Sequence, residues 1–126
     1  MIGSTRQVRV YAWGAPADLR KGFDGLYALV RDRLKQNPLS GDLYLFVNRT
    51  RKRAKVLYWD GTGLCVYAKR LEEGRFASLW REPKTPSVSL TMSELTLFLE
   101  GSRVVGRMVL SPPAYQHKNI AQRAQS

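Results

Sequence analysis

Cysteine and histidine are almost missing from this sequence: its 126 residues contain one of each, Cys65 and His117. A single thiol cannot form an internal disulfide, which is typical of a protein in a reducing cytosol. A lone cysteine without a neighbouring histidine provides neither a zinc site nor a Cys–His nucleophile. His117 falls in a segment that we predict to be a tail, outside the folded domain. We therefore expect no bound metal and no cofactor.

Other signals of catalysis or of membrane insertion are missing too. Acidic residues number only ten, and the aspartates are scattered, whereas metal-dependent nucleases need clustered carboxylates. No glycine-rich pattern of a phosphate loop or a dinucleotide site occurs. No apolar run approaches the roughly 18 residues of a spanning helix, and the N-terminus lacks the apolar core of a signal peptide. We predict a non-catalytic, cytoplasmic protein; a small nuclease whose carboxylates meet only in the fold is an alternative.

Positive charge is what the sequence has in excess. Lysine and arginine total 21 against ten acidic residues, which leaves a formal net charge of +11. Such an excess repels itself in a compact chain, and binding of nucleic acid is its most common use. An anionic membrane surface is a competing partner, and a surface that serves only solubility is a further alternative.

The pattern of apolar residues predicts one α+β domain. A strand at Val8–Trp13 precedes an amphipathic helix, which we expect to begin at an Asp18 cap and to reach about Lys35. A capping box at Thr91–Glu94 opens a short C-terminal helix, and Gly101 is predicted to be the C′ residue that follows it. The segments between the helices read as an antiparallel β-meander sheet packed with both helices. Its strands are Leu43–Val47, Lys55–Trp59, Leu64–Arg70 and Arg75–Trp80.

The C-terminal part of the sequence is less regular. A proline-punctuated loop, Glu82–Ser87, separates the meander from the second helix. The apolar residues of Val104–Leu110 are consistent with a strand or with docking on a partner. We predict a single basic domain over residues 1–110 and a flexible polar tail over residues 111–126.

A run of cations between two predicted strands is the main candidate binding site. Because it lies between strands, we expect an exposed hairpin loop that enters a nucleic-acid groove or grips the backbone. Repulsion within the run is unfavourable unless an anion neutralises it, although a solvated loop is the alternative. Its cations are Arg49, Arg51, Lys52, Arg53 and Lys55.

Two further sites are predicted from charge. Arg20 and Lys21, with the free amides at the start of the first helix, can hold a phosphate; the alternative is an ion pair between Arg20 and Asp24. Near the third turn of the meander, Tyr58 and Trp59 can form a stacking platform, or simply belong to the core. The cations that flank this turn are Lys69, Arg70 and Arg75.

Several motifs in this order resemble one known family. They are the segments Asp18–Leu26, Leu57–Cys65, Ala68–Glu72 and Gly74–Phe76, followed by Leu90, Thr91, Leu95 and Leu99–Gly101. Over roughly residues 8 to 103, the chain resembles the TnpB-type, Orf-two-like accessory proteins of the IS-sixty-six class of bacterial insertion sequences. Residues 104–126 have no counterpart in that resemblance.

The resemblance implies an accessory role in transposition, beside a separate transposase that carries the catalytic carboxylates. We therefore expect two partners, the DNA of the element ends and the transposase encoded by the same element. The alternative is a protein–protein adaptor that docks on the transposase without touching DNA, its charge serving only solubility or steering. The resemblance supplies no binding residues, so the cationic sites remain physical inferences.

Overall fold

The computed structural model describes residues 7–80 and 87–101. Within them the chain forms five strands and two helices, which confirms the α+β class. The predicted Val104–Leu110 strand, the 111–126 tail with His117 and most of the Glu82–Ser87 loop lie outside these residues. The elements are β1 (Val10–Trp13), α1 (Phe23–Asp32), β2 (Leu43–Val47), β3 (Arg53–Trp59), β4 (Leu64–Arg70), β5 (Ser87–Leu90) and α2 (Met92–Leu99).

The five strands form one mixed sheet in the order β4-β3-β2-β1-β5. β2, β3 and β4 pair antiparallel, as predicted for the meander, and β5 pairs antiparallel with β1. β1 and β2 are parallel, with Val10 opposite Leu43, so the prediction of a purely antiparallel sheet is wrong. The reason is the connection through α1, because a crossover helix returns the chain in the same direction.

Near α2 the structure has one strand that the sequence pattern does not predict, and one predicted strand is wrong. The fifth strand was not expected, yet Ser87 opens it and pairs with Trp13 of β1. The predicted strand Arg75–Trp80 is irregular instead. Its apolar side chains are buried without joining the sheet: the Phe76 ring stacks on Phe98 of α2 with centroids 5.1 Å apart. Burial therefore explains the apolar pattern of this segment, and strand pairing does not.

The sheet is covered on both faces. One face packs against α1, through Leu26 and Val30 of the helix and Tyr44 and Phe46 of β2. The other packs against α2 and the segment after β4. β2 is buried at four of its five positions because its side chains alternate between these two clusters.

The ends of α1 differ from those predicted, whereas the predicted capping residues of α2 are confirmed. α1 begins at Phe23 with Gly22 at the cap position and no side-chain cap, and it ends at Asp32. Asp18 therefore does not cap it, and the helix is shorter than predicted at both ends. In α2 the capping box between Thr91 and Glu94 is formed in both directions, and Gly101 follows with φ of 77°, which confirms both predictions.

Candidate nucleic-acid interface

The loop between β2 and β3 is shorter than predicted and is ordered by hydrogen bonds to Asn48. The Asn48 side-chain oxygen accepts hydrogen bonds from the amides of Lys52 and Arg53, each at 3.1 Å. The Asn48 amide also donates to the Arg53 carbonyl at 3.1 Å. β3 consequently starts at Arg53, two residues earlier than predicted. Arg53 and Lys55 therefore lie in the strand rather than in the loop.

Three exposed arginines from two separate segments line one groove of about 590 Å³. The groove lies between residues 16–20 and the β2–β3 loop. The Ala17 amide donates to the Val47 carbonyl at 2.9 Å, and this bond holds the 16–20 segment against the base of the hairpin. The two strongest predicted sites thus combine into one. We call its cations, Arg20, Arg49 and Arg53, the groove arginines.

The sheet face next to the groove carries additional positive charge. Arg53 stands directly opposite Arg70 of β4, and Lys55 stands opposite Ala68, which is exposed. Residues opposite each other on antiparallel strands have Cβ atoms about 4.5–5.5 Å apart, and like charges there are unfavourable. Arg70 pairs with Glu72 at 3.1 Å. Arg49 and Arg53 have no ion pair within the part of the chain that the structure describes.

Arg20 forms an ion pair that the sequence analysis did not predict. Its Nε and Nη2 atoms donate to the two carboxylate oxygens of Asp18, both at 2.9 Å, and its amide donates to the same residue at 3.0 Å. The predicted alternative partner, Asp24, is therefore wrong. The hydrogen bonds from Arg20 hold the pKa of Asp18 well below its usual range. An aspartate two positions before an arginine is a weak signal of such a turn.

Lys21 precedes α1 instead of lying in its first turn, so the predicted placement of Arg20 and Lys21 at a helix start is wrong. The aliphatic stem of Lys21 packs over Gly25, where a Cβ would lie 2.7 Å from the Lys21 Cβ. The carbonyl of Lys21 accepts a hydrogen bond from Lys55 Nζ at 3.2 Å. A Cβ on Gly22, by contrast, would have nothing within 4 Å.

Four of the predicted binding cations donate to backbone carbonyls of other segments. Arg51 Nη1 lies 3.1 Å from the Phe76 carbonyl and Lys52 Nζ lies 3.0 Å from that of Gly74. Lys69 Nζ lies 2.7 Å from the Leu99 carbonyl, at the end of α2, where carbonyls lack helical partners. We call this set, which also includes Lys55, the carbonyl-bound cations.

The third predicted site is not assembled. Tyr58 and Trp59 are consecutive in β3 and face opposite sides of the sheet, so they do not share a platform. Tyr58 packs against the core on the α2 side, as the alternative prediction held. Lys69 lies on that side as well, whereas Arg70 lies on the α1 side with Arg53. Arg75 is exposed in the irregular segment after β4 and belongs to none of the five strands.

The turn between β3 and β4 holds the lone cysteine. Asp60 accepts hydrogen bonds from the amides of Thr62 and Gly63 at 2.9 and 2.8 Å, and these bonds lower its pKa to about 2. Burial, followed by Asp60 nearby, raises the pKa of the Cys65 thiol, so the thiol is not activated as a nucleophile. Over residues 7–80 and 87–101, no three His, Cys, Asp or Glu side chains cluster as metal ligands would. No helix in those ranges is long and apolar enough to cross a membrane.

Fold and surface together define a small basic α+β domain with a cationic groove beside a five-stranded mixed sheet. The family described as IS66 Orf2 like protein matches residues 8–107, and the chain belongs to that family, whose members are accessory proteins of insertion sequences. The chain is similar to the uncharacterised proteins y4hO and y4jC of Sinorhizobium fredii (strain NBRC 101917 / NGR234). The first is 36% identical over 101 residues, covering 80% of this chain and 86% of the relative. The second is 34% identical over 101 residues, covering 80% and 85%. No solved structure matches.

Proposed function

We propose that this accessory protein binds the phosphate backbone of nucleic acid, most directly the DNA at the ends of its insertion sequence, through the groove arginines. One observation carries the proposal: Arg20, Arg49 and Arg53 reach the same groove from segments that are distant in sequence. Three exposed guanidinium groups around one groove repel one another, and an anion removes that repulsion. Arg70, which stands opposite Arg53, and the exposed Lys21 add further positive charge.

Arginine suits this role because its planar fork donates two parallel hydrogen bonds to a phosphate. Such contacts fix the position of a protein on nucleic acid and carry no sequence information themselves. The groove arginines come from a loop, a strand end and a turn held by backbone hydrogen bonds, so their spacing is set by the fold. The site therefore suits backbone recognition, with sequence selection supplied elsewhere.

In this role the chain catalyses no reaction. Its proposed second partner is the transposase of the same element. The groove arginines would hold DNA while the transposase carries out strand transfer. The adaptor alternative makes the opposite prediction, namely that the chain contacts the transposase and has no measurable affinity for DNA.

Fluorescence anisotropy with labelled DNA tests the proposal. Arg49→Gln together with Arg53→Gln should weaken binding at least about 100-fold, since two hydrogen bonds to charged groups at about 1.5–3 kcal/mol each total at least about 3 kcal/mol. The matched control is Arg31→Gln with Lys35→Gln, which removes the same charge at the far end of α1, where Arg31 lies about 12 Å along the helix axis from Phe23. Its effect should be several times smaller. Absence of DNA binding by the wild-type protein at low salt, or equal loss in the two variants, would overturn the proposal.

A further inference from the structure

One acidic side chain lies within the cationic groove. Asp18 lines it together with the three groove arginines, and its two oxygens accept two parallel hydrogen bonds from the guanidinium of Arg20. A bidentate pair of this kind is the geometry that arginine also forms with a phosphate. The carboxylate therefore occupies the position on Arg20 that a phosphate of a bound nucleic acid would take.

The pair is exposed and its arginine is accessible. The Arg20 side chain is 90% exposed and that of Asp18 is 44% exposed. Ion pairs in such surroundings are screened by solvent and contribute little to stability. Exchange of one anion for another on Arg20 is consequently easy, while Arg49 and Arg53 in the same groove have no acidic partner among the residues described.

From this geometry we propose that Asp18 is an internal substitute for phosphate that limits the affinity of the groove. Nucleic acid must displace the carboxylate from Arg20, and the displaced carboxylate then repels the phosphate that replaces it. This inference rests on the proposed function of the groove and deepens it by naming the residue that sets its affinity. The consequence is selectivity for a polyanion, because a single phosphate gains too few contacts to offset the exchange.

Replacement of the carboxylate by an amide isolates this effect. Asp18→Asn keeps the shape of the side chain and its ability to accept a hydrogen bond from the Arg20 amide. It should raise the affinity for DNA about tenfold at low salt, which corresponds to one additional charge-assisted contact. The dependence of log K on log salt should also steepen by about 0.9, the contribution of one more phosphate contact.

Asp24→Asn is the matched control, because Asp24 is exposed in the first turn of α1 and the change removes the same charge close by. It should raise affinity much less than Asp18→Asn does. Adding Arg20→Gln to Asp18→Asn should abolish the gain in DNA affinity. Arg20→Gln should lower DNA affinity less in the wild-type protein than in the Asp18→Asn variant. A general charge effect would instead give equal gains for the two aspartates, or a gain that survives the loss of Arg20.

The same titrations separate this inference from the proposed function. If wild type binds DNA and Asp18→Asn binds no better than Asp24→Asn, the inference about Asp18 fails and the proposed function stands. If Asp18→Asn binds DNA and wild type does not, the proposed function fails for the native chain, and the inference that Asp18 only limits affinity fails with it. If neither protein binds DNA in the low-salt titration, both proposals are wrong.

Discussion

Arg49 and Arg53 lie next to Arg51 and Lys52 in the same short stretch of sequence, yet the two pairs have different surroundings. Arg49 and Arg53 line an exposed groove. Arg51 and Lys52 instead donate to carbonyls of the segment after β4. Local sequence does not distinguish them, since all four are cations in one run. What distinguishes them is the position of the segments that the fold brings to either side of the hairpin.

The comparison shows that cations of one run differ in their structural partners. The carbonyl-bound cations stabilise the packing of irregular segments, because each satisfies a backbone oxygen. Among residues 7–80 and 87–101, the groove arginines have no such structural partner apart from the Asp18 side chain, which pairs with Arg20. The cross-strand pair of Arg53 and Arg70 is unfavourable to folding. Arg53 destabilises the fold when no ligand is bound, so its presence is better explained by binding of an anion than by a contribution to stability.

The largest expected effect comes from reversing one charge in the groove. Arg53→Glu places a carboxylate opposite Arg70, which should raise the free energy of unfolding by about 0.2–1 kcal/mol. The same change should weaken DNA binding about 100-fold or more, because it removes a contact and adds repulsion. Chemical denaturation and anisotropy on one preparation measure both. Loss of stability together with loss of binding would show that Arg53 has a structural role.

A second prediction concerns the residue that orders the hairpin loop. Asn48→Ala removes the acceptor of the Lys52 and Arg53 amides and should lower the free energy of unfolding by about 1–2 kcal/mol. Asn48→Asp keeps the acceptor and should retain most of the stability in denaturant titrations. If alanine and aspartate are equally tolerated, the loop does not depend on this side chain.

Lys69 provides the matching test for the carbonyl-bound cations. Lys69→Met keeps the apolar stem and removes the donor to Leu99 at the end of α2, which should lower the free energy of unfolding by about 1 kcal/mol. Lys35→Met, at an exposed lysine, should change it by less than about 0.5 kcal/mol. Equal thermal unfolding curves for the two variants would contradict a structural role for Lys69.

The smallest expected effect is a dependence of stability on acid pH. The folded-state pKa of Asp60 is about 2, below its ordinary value of 3.8. Its contribution to stability is therefore fully present above about pH 4 and is lost as the pH falls toward 2. Asp60→Asn should flatten this part of the stability curve measured by acid titration of the circular dichroism signal. An unchanged acid limb would show that the turn does not depend on the ionised carboxylate.

Several parts of this fold could be predicted from the sequence because their signals are local. The capping box at Thr91 is formed within four residues, and the β3–β4 hairpin follows from the Asp60 turn. The parallel pairing of β1 with β2 could not be predicted, since strand direction depends on where α1 packs. Asp18 was misassigned for a related reason: an aspartate before a helical pattern serves equally well as a cap or as the start of a turn.

The positive charge of the candidate site could be predicted from the sequence. Which residues meet in the groove could not. The cationic run and Arg20 were identified as separate sites, and their convergence depends on the bond between Ala17 and Val47, residues that carry no charge. The hydrogen bonds of the carbonyl-bound cations could not be predicted, because their acceptors belong to segments far away in sequence. Asp18 was missed as a groove residue because an acidic side chain in a basic site looks like an ordinary surface charge.

The most direct test of the groove is the salt dependence of DNA binding in two double variants. Arg49→Gln with Arg53→Gln should reduce the slope of log K against log salt by about 2, since each phosphate contact contributes about 0.9. Lys52→Met with Lys69→Met removes the same charge from the carbonyl-bound set and should leave the slope unchanged while lowering stability. Equal reductions in slope for the two double variants would contradict the division of cations proposed here.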